Sequence, residues 1–145
     1  MPNSLVAALQ RSTVATFENL AMMVAQPTGD HPDPCMPPHV TNIWFQGKDC
    51  ACLELEMPPS LLAEVAVSML GTNVFVGPNI IRDVLGEFAN VIAGNLLEYF
   101  GAAETTALSS PMPGPCGFPG KPVARARFVV DEYFVEARLF LQVAA

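Results

Sequence analysis

Apolar side chains recur at helical spacing in three long segments of the chain. Residues 3–25 show this spacing without a breaker, and residues 58–71 open on two prolines and close on Gly71. Proline is favoured in the first turn of a helix and glycine directly after the last one, so these residues mark helix ends. The same signals at Gly77-Pro78 and Gly101 predict a third helix of about 22 residues, or about 33 Å.

Alternating apolar and polar residues mark the strands. The runs VTNIWFQ and CACLELEM are separated by a tight turn around Gly47, and each is predicted to form a half-buried strand. The final runs, VARARFVV and YFVEARLFLQVA, meet at Asp131-Glu132 and predict a hairpin. TTALSS, at 105–110, predicts one further short strand.

The order of these elements predicts the fold class. Helix, two strands, two helices, one strand and a hairpin do not alternate as a βαβ array does. We therefore expect an α+β fold in which helices pack on a largely antiparallel sheet. Loops are predicted at 26–38 and 111–120, where proline and glycine concentrate. With 145 residues, 51% hydrophobic and 14% charged, the chain suits a single domain over residues 1–145.

Charge and hydropathy narrow the class of partners. The chain carries 14 acidic and 7 basic residues, a net charge of −7, and the basic residues form no long cluster. A sequence-independent grip on nucleic acid needs such a cluster, so we expect no nucleic-acid partner. The sequence shows no signal-peptide pattern, and no apolar segment reaches membrane-spanning length without a charge or proline. We therefore expect a cytoplasmic protein without a membrane partner.

The four cysteines and two histidines are the candidate redox or metal groups. Cys50 and Cys52 would lie on one face of a strand, too close and too parallel for an ordinary disulfide, and we expect all four thiols to be reduced. The loop DHPDPCMPPH offers further ligand types: His31, Asp33, Cys35 and His39. Its prolines keep the loop extended, and a further close ligand such as Cys116 would come only from the fold. We favour a loop without a metal, and the state of Cys35 and Cys116 stays open.

The stretch DVLGEFANVIAGN places polar residues along one side of the third helix. At 100° per residue, one stripe about 60° wide holds Asp83, Glu87, Asn90 and Gly94, with apolar residues on the opposite side. Glycine inside a helix costs about 1 kcal/mol relative to alanine, so Gly86 and Gly94 indicate that something approaches closely. A solvated helix face would show the same spacing. The stripe lacks a His, Ser or Cys nucleophile, which excludes a self-contained acyl-transfer site.

Three residues of this stripe belong to a longer sequence pattern. Asp83 is followed by three residues and Glu87, then by two residues and Asn90, then by 22 residues and Pro113. This pattern resembles the signature of the CheC/CheX family of chemotaxis phosphatases, which has Asp or Ser at the first position and Glu, Asn and Pro at the others. The segments GEFANVIAGNL and PPSLLAEVAVSMLG and the FxG turn at 45–47 also resemble that family. The resemblance covers nearly the whole chain, with least support in the first 25 residues.

The resemblance implies a function and a set of site residues. The implied activity is a phosphatase that removes the aspartyl phosphate of a CheY-like response regulator. Asn90 would orient the attacking water, and Glu87 would pair with the partner's lysine. Support or partner binding would fall to Asp83, Gly86, Gly94 and Pro113. Mg²⁺ is expected on the partner receiver domain, and this chain is expected to supply no cofactor.

Two alternatives to this interpretation stay open. A non-catalytic signalling or flagellar-switch adaptor of the same fold would bind its partner without hydrolysis. A small-molecule binder would use the apolar helix pair, but it leaves the polar stripe unexplained. The sequence does not name the response regulator or decide between chemotaxis and another two-component pathway.

The number of motifs indicates a subtype. Some family members carry two copies of the motif, and the single intact copy here resembles the CheX-like members, which form homodimers through sheet edges. The C-terminal hairpin would offer a long edge for such pairing. Ser12, Thr16 and Asn19 repeat the spacing in the first helix, with Thr in place of Glu and no Pro at position 42. They are a decayed second motif or a coincidence, and we favour coincidence.

Overall fold

Three α-helices form the helical layer of the computed structural model, which describes residues 2–34, 36–47, 50–71, 75–100 and 106–142. The helices are α1 (Pro2–Thr16), α2 (Pro59–Leu70) and α3 (Pro78–Leu96). A π-helical turn, Phe17–Ala21, extends α1, and a 3₁₀ turn, Leu97–Phe100, extends α3. None of the helices in the described ranges combines the length and the apolar character that a membrane span requires.

The helix starts agree with the sequence, and one helix end does not. Helices α2 and α3 both carry proline in the first turn, as predicted. The first helical segment ends at Ala21, short of position 25, because Met22 takes a left-handed conformation with φ 54°. Gly101, the predicted end of the third helix, lies outside the described residues.

The described strands form one seven-stranded sheet whose paired neighbours are all antiparallel. The strands are β1 (Gln26–Pro27), β2 (His39–Gln46), β3 (Cys50–Met57), β4 (Ala107–Leu108), β5 (Met112–Pro113), β6 (Ala124–Val130) and β7 (Tyr133–Gln142). Their order is β1-β6-β7-β3-β2-β4, and β5 also pairs with β2. This arrangement confirms the predicted α+β fold with helices on an antiparallel sheet.

Two of these strands lie where loops were predicted. Strands β1 and β5 are only two residues long, and each pairs at an edge, β1 with β6 and β5 with β2. Proline is tolerated at such edges, which explains how these proline-rich segments join the sheet. The predicted C-terminal hairpin is confirmed. Asp131 and Glu132 form its two-residue turn with φ of 46° and 72°, the positive values that tight hairpin turns need.

The core lies between the helices and one face of the sheet. Phe45, Leu53 and Phe128 point inward from the strands and are fully buried. Phe17 and Phe88 meet them from the helix layer, with their rings edge to face at 4.9 Å between centroids. Each such side chain contributes about 1.5–3 kcal/mol when it is fully buried. This packing fixes α3 against β2 and β3.

The opposite face of the sheet carries buried and half-buried charged residues, which we call the outer network: Glu54, Glu56, Arg127, Glu136 and Arg138. Arg138 Nε donates to Glu54 Oε1 at 2.8 Å, and Arg127 Nε donates to Glu136 Oε1 at 2.7 Å. Arg138 also pairs with Glu136 and, at 3.4 Å, with Glu56. Glu54 and Glu136 are only 5% and 4% exposed. The prediction of a half-buried β3 with a solvated acidic side is therefore wrong at Glu54.

The segment 112–118 explains this burial because it folds over the outer face. The Phe118 ring stacks on Trp44 at 5.4 Å and on Phe140 at 5.9 Å. The amide of Cys116 donates to Glu54 Oε2 at 2.8 Å. Local alternation in β3 could not predict this cover, since it comes from residues far away in the sequence.

The buried glutamates of the outer network stay ionised. Burial opposes the charge of Glu54, but the bonds from the Cys116 amide and the Arg138 guanidinium outweigh it and lower the pKa of Glu54. Burial likewise opposes the charge of Glu136, and Arg127 and Arg138 outweigh it and lower the pKa of Glu136. These charges are therefore committed to bonds within the chain.

Candidate active site on helix α3

Helix α3 presents its polar stripe to solvent, as the periodicity predicts. Asp83, Glu87, Asn90 and Gly94 are all exposed. The other side of the helix is buried in the core and includes Val84, Leu85, Phe88, Ile92 and Leu96. The stripe therefore lies on a helix whose opposite side is packed in the core. Such a helix is rigid and can hold its exposed side chains in a defined geometry.

A groove of about 530 Å³ runs between this stripe and the loop that follows β4. We call it the α3 groove. Its helix wall is formed by Arg82, Asp83, Gly86, Glu87 and Asn90, its loop wall by residues 108–111 and Pro113, and Thr41 of β2 also lines it. The fold thus brings together Asp83, Glu87, Asn90 and Pro113, which the sequence analysis selected. Gly94 lies on the same stripe, beyond the lining residues.

Strand β2 holds the loop wall in place. Pro113 pairs with Thr41 in the β5–β2 register. The Thr41 hydroxyl donates to the carbonyl of Met112 at 3.0 Å, and Asn42 Nδ2 donates to the carbonyl of Gly114 at 2.8 Å. These bonds hold the segment of Pro113 beside α3.

The two glycines of α3 have different surroundings. Gly86 is buried, and a Cβ at this position would lie 3.2 Å from the Cβ of Pro111. The element that approaches Gly86 is therefore the chain's own loop wall, which favours support over partner binding as the role of this residue. Gly86 supports the site from within. At Gly94, no described atom lies within 4 Å of an added Cβ, so bare backbone faces open space.

The stripe carries charges that are not used within the described part of the chain. Asp83, Glu87 and Asn90 make no side-chain hydrogen bond or ion pair with any described residue. Asp83 and Glu87 are four residues apart, so their like charges are neighbours on the helix and cost it a few tenths of a kcal/mol. An arrangement that slightly destabilises the helix while leaving both carboxylates free suits a site for an external cation or donor.

Four polar residues of the groove were not predicted from the sequence, namely Thr41 of β2 and three residues of the groove walls. Arg82 lines the helix wall, and Ser109 and Ser110 line the loop wall. The Ser109 hydroxyl accepts a bond from the Trp44 amide at 2.9 Å, which ties this end of the loop to β2. Arg82 could have been predicted as a site residue because it precedes Asp83 in the sequence. The serines carried no such signal, because only the pairing with β2 brings their loop to α3.

The second motif-like spacing, in α1, does not form a site. Ser12 and Thr16 are buried. The Ser12 hydroxyl donates to the carbonyl of Ile92 at 3.2 Å, and the Thr16 hydroxyl donates to the carbonyl of Ser12 at 2.7 Å. Asn19 is exposed and does not share a surface with them. This separation favours the interpretation of the spacing as a coincidence.

The residues that lie close to His31 are not the set that the sequence offered as metal ligands. His31 Nε2 lies 3.3 Å from Glu56 Oε2, and His31, Glu56 and Glu136 have ligand atoms within 4.8 Å of one another. Asp33 and His39 do not belong to this described group, and Cys35 lies outside the described residues. The carboxylates of the group are already bonded to arginines of the outer network. The expected absence of a metal stays a prediction.

The described cysteines are free thiols: Cys50, Cys52 and Cys116. Burial raises the pKa of Cys52 and of Cys116 above the ordinary value. Both thiols therefore stay protonated at neutral pH, which makes them poor nucleophiles. They give no second candidate for covalent chemistry.

Comparison with known proteins bears on the fold. No protein-family model matches the sequence, and no curated protein matches it. A CheX chemotaxis protein from Desulfovibrio desulfuricans superposes with a TM-score of 0.76 at 12% sequence identity, over 96% of this chain and 99% of that one. The chain has the CheC/CheX fold.

Two further solved structures share the CheC/CheX fold. CheX from Vibrio vulnificus gives a TM-score of 0.69 at 16% identity and covers 96% of this chain and 98% of its own. A CheX–CheY–BeF3–Mg²⁺ complex from Borrelia burgdorferi gives 0.72 at 12% identity and covers 95% of this chain and 97% of the matched one. The likeness thus extends over nearly the full length of both proteins in each comparison.

Proposed function

We propose that this protein is a phosphatase that hydrolyses the aspartyl phosphate of a CheY-like receiver domain. The observation that carries the proposal is the α3 groove on a CheC/CheX fold, where Glu87 and Asn90 are exposed, bond to no described residue and lie next to the loop of Pro113. One of the similar structures is a complex of CheX with CheY, BeF3 and Mg²⁺, and the same class of partner is proposed here.

Asn90 is proposed to orient the attacking water. An acyl phosphate is already activated, so the main task of the enzyme is to hold water in line with the phosphorus. A carboxamide suits this task because it can accept one hydrogen bond and donate another, and it does not titrate. The buried side of α3 holds the backbone of Asn90 rigid while its side chain stays free for the water.

Glu87 is proposed to pair with the lysine of the receiver domain. It lies about one helical turn from Asn90, so a partner that meets one of the two residues also meets the other. A carboxylate–ammonium hydrogen bond is stronger than a neutral one. The bond would also relieve the repulsion between Glu87 and Asp83, and Asp83 is assigned to support and docking.

The partner is proposed to supply the remaining chemistry. The phosphoryl group, the Mg²⁺ ion and the lysine belong to the receiver domain, and this chain contributes no cofactor. The helix wall offers two carboxylates, one amide and one guanidinium, which are groups for positioning and docking. Such an enzyme would act in the cytoplasm, where receiver domains are phosphorylated.

The first experiment mixes the purified protein with a panel of phosphorylated receiver domains and follows phosphate loss. The wild-type protein should accelerate the loss for at least one of them. Glu87→Ala should raise KM and also lower turnover, because it removes a charged bond to the partner. Asn95→Ala is the matched control, since Asn95 is an exposed amide of the same helix outside the groove. Binding without acceleration would contradict the phosphatase and support the adaptor.

We also propose that the protein forms a homodimer through a sheet edge. Strand β6 has β1 on its outer side, but β1 reaches only Phe128 and Val129. The start of β6, from Ala124 to Ala126, has no described strand on that side, so its outward backbone groups are free to pair with a second copy. Light scattering at micromolar concentration should give twice the chain mass of 15.5 kDa. A single species at the chain mass would contradict the dimer.

A further inference from the structure

Arg82 stands apart from the other described arginines of this protein. Arg125, Arg127 and Arg138 bond to acids of the outer network, and Arg11 donates to the Tyr99 hydroxyl. Arg82 is exposed in the α3 groove and makes no hydrogen bond or ion pair with another described residue. Its positive charge is available to a group from outside the chain.

The local sequence keeps Arg82 unpaired. On a helix, a side chain meets the residues three and four positions away. For Arg82 these are Pro78, Asn79, Leu85 and Gly86, and none of them is acidic. Gly86 has no side chain that could pair with Arg82. No competing intrahelical pair has to be broken before Arg82 can bind an external anion.

Arg82 is too far from Asn90 to serve the same phosphoryl group. Eight residues separate them, which is about 12 Å along the helix axis. Side chains on a helix all lean toward its N-terminus, so both residues shift in the same direction and this separation is kept. The anion that Arg82 binds must therefore be a second group on the partner, next to the phosphorylated site.

We infer that Arg82 is a docking residue that pairs with a surface carboxylate of the receiver domain, beside the phosphorylated site. The inference rests on the proposed function. Along the helix, the groove presents a positive group at Arg82, negative groups at Asp83 and Glu87, and a neutral amide at Asn90. A partner fits if it presents an acid, then its lysine, then its phosphoryl group. The reversed direction would place the phosphoryl group at Arg82, about 12 Å along the helix axis from Asn90, and would be unproductive.

The test is the binding of a receiver domain loaded with beryllium fluoride and Mg²⁺, together with steady-state kinetics on its phosphorylated form. Arg82→Glu should raise Kd and KM about tenfold at low salt and leave kcat unchanged, since charges at the rim of an interface act on association. Arg82→Lys should stay within about threefold of wild type, because it keeps the charge. The effect of Arg82→Glu should shrink at 0.5 M salt.

Lys121→Glu is the matched control, because Lys121 is exposed, lies outside the α3 groove and undergoes the same change of charge. It should stay within about twofold of wild type, as is typical of a charge away from the contact. Binding by Arg82→Glu at the wild-type affinity would overturn the inference. A fall in kcat with KM unchanged would also overturn it, by moving Arg82 into the chemistry. Failure of the proposed function looks different: the wild-type protein binds without phosphate loss, and the Kd comparison still decides the role of Arg82.

Discussion

The outer network and the polar stripe of α3 both contain closely spaced acids, but these acids have opposite surroundings. In the outer network, Glu54 and Glu136 are buried and accept bonds from Arg138 and Arg127 at 2.8 and 2.7 Å. On the stripe, Asp83 and Glu87 are exposed and have no described partner. The same chemical groups therefore have different tasks in the two regions.

The difference shows which charges are available for function. A buried charge without a partner costs several kcal/mol, so the carboxylates of the outer network must stay bonded to arginines for the chain to fold. Exposed carboxylates four residues apart cost only a few tenths of a kcal/mol, so the stripe can remain unpaired. The bonded charged groups of the outer network stabilise the fold. The unpaired carboxylates on the rigid helix α3 are available to bind a partner.

The largest expected effect on stability follows removal of Arg138. Arg138→Met should lower the free energy of unfolding by about 3–5 kcal/mol, because it leaves buried carboxylates without their partner. Arg82→Met, which removes an exposed arginine from the stripe side, should change it by less than about 0.5 kcal/mol. Urea unfolding followed by circular dichroism measures both variants. Equal losses of stability in Arg138→Met and Arg82→Met would contradict the proposed difference between the outer network and the stripe.

Acid should weaken the fold through the outer network. The pKa values of Glu54 and Glu136 are lowered in the folded protein, so their contribution is fully present above the ordinary glutamate pKa. It is lost as the pH falls through the lowered values, and each unit of depression corresponds to about 1.4 kcal/mol. The urea midpoint should therefore stay flat near neutral pH and drop under acid conditions. Glu136→Gln should flatten the drop, and an unchanged drop would contradict this role of the outer network.

The glycines of α3 should respond differently to alanine. Gly94→Ala should raise the free energy of unfolding by up to about 1 kcal/mol, because alanine favours helix and the site is open. Gly86→Ala should gain less or lose stability, because its Cβ would press on Pro111 at 3.2 Å. Thermal unfolding compares the two variants. If Gly94→Ala also weakens partner binding, the bare backbone at Gly94 is part of the docking surface.

The smallest effects are expected on the stripe itself. Asn90→Ala and Glu87→Ala should each change the free energy of unfolding by less than about 0.5 kcal/mol, because neither side chain bonds to a described residue. Glu87→Ala can gain a few tenths of a kcal/mol by removing the repulsion with Asp83. Matched urea titrations measure these differences. A loss above 2 kcal/mol at either position would assign the stripe to the fold.

The two regions also show how far sequence patterns reach. The period of 3.6 residues correctly placed Glu87 on an exposed face, because the core decides which side of a single helix is buried. Alternation in β3 predicted the same exposure for Glu54 and was wrong, because the segment 112–118 covers that face. The motif spacing selected Pro113, whereas the serines of the loop wall could not be selected from local pattern. Long-range pairing with β2 places them, and no period in the sequence encodes it.

The most direct test of the account is the rate of aspartyl phosphate loss from a receiver domain with wild-type protein and with Asn90→Ala. If Asn90 orders the attacking water, the variant should remain folded and bind the phosphorylated domain. Its acceleration should fall by about 10²–10³, the usual effect of removing one group that orients the transition state. If folded Asn90→Ala hydrolyses as fast as wild type, the proposed role of the stripe is wrong.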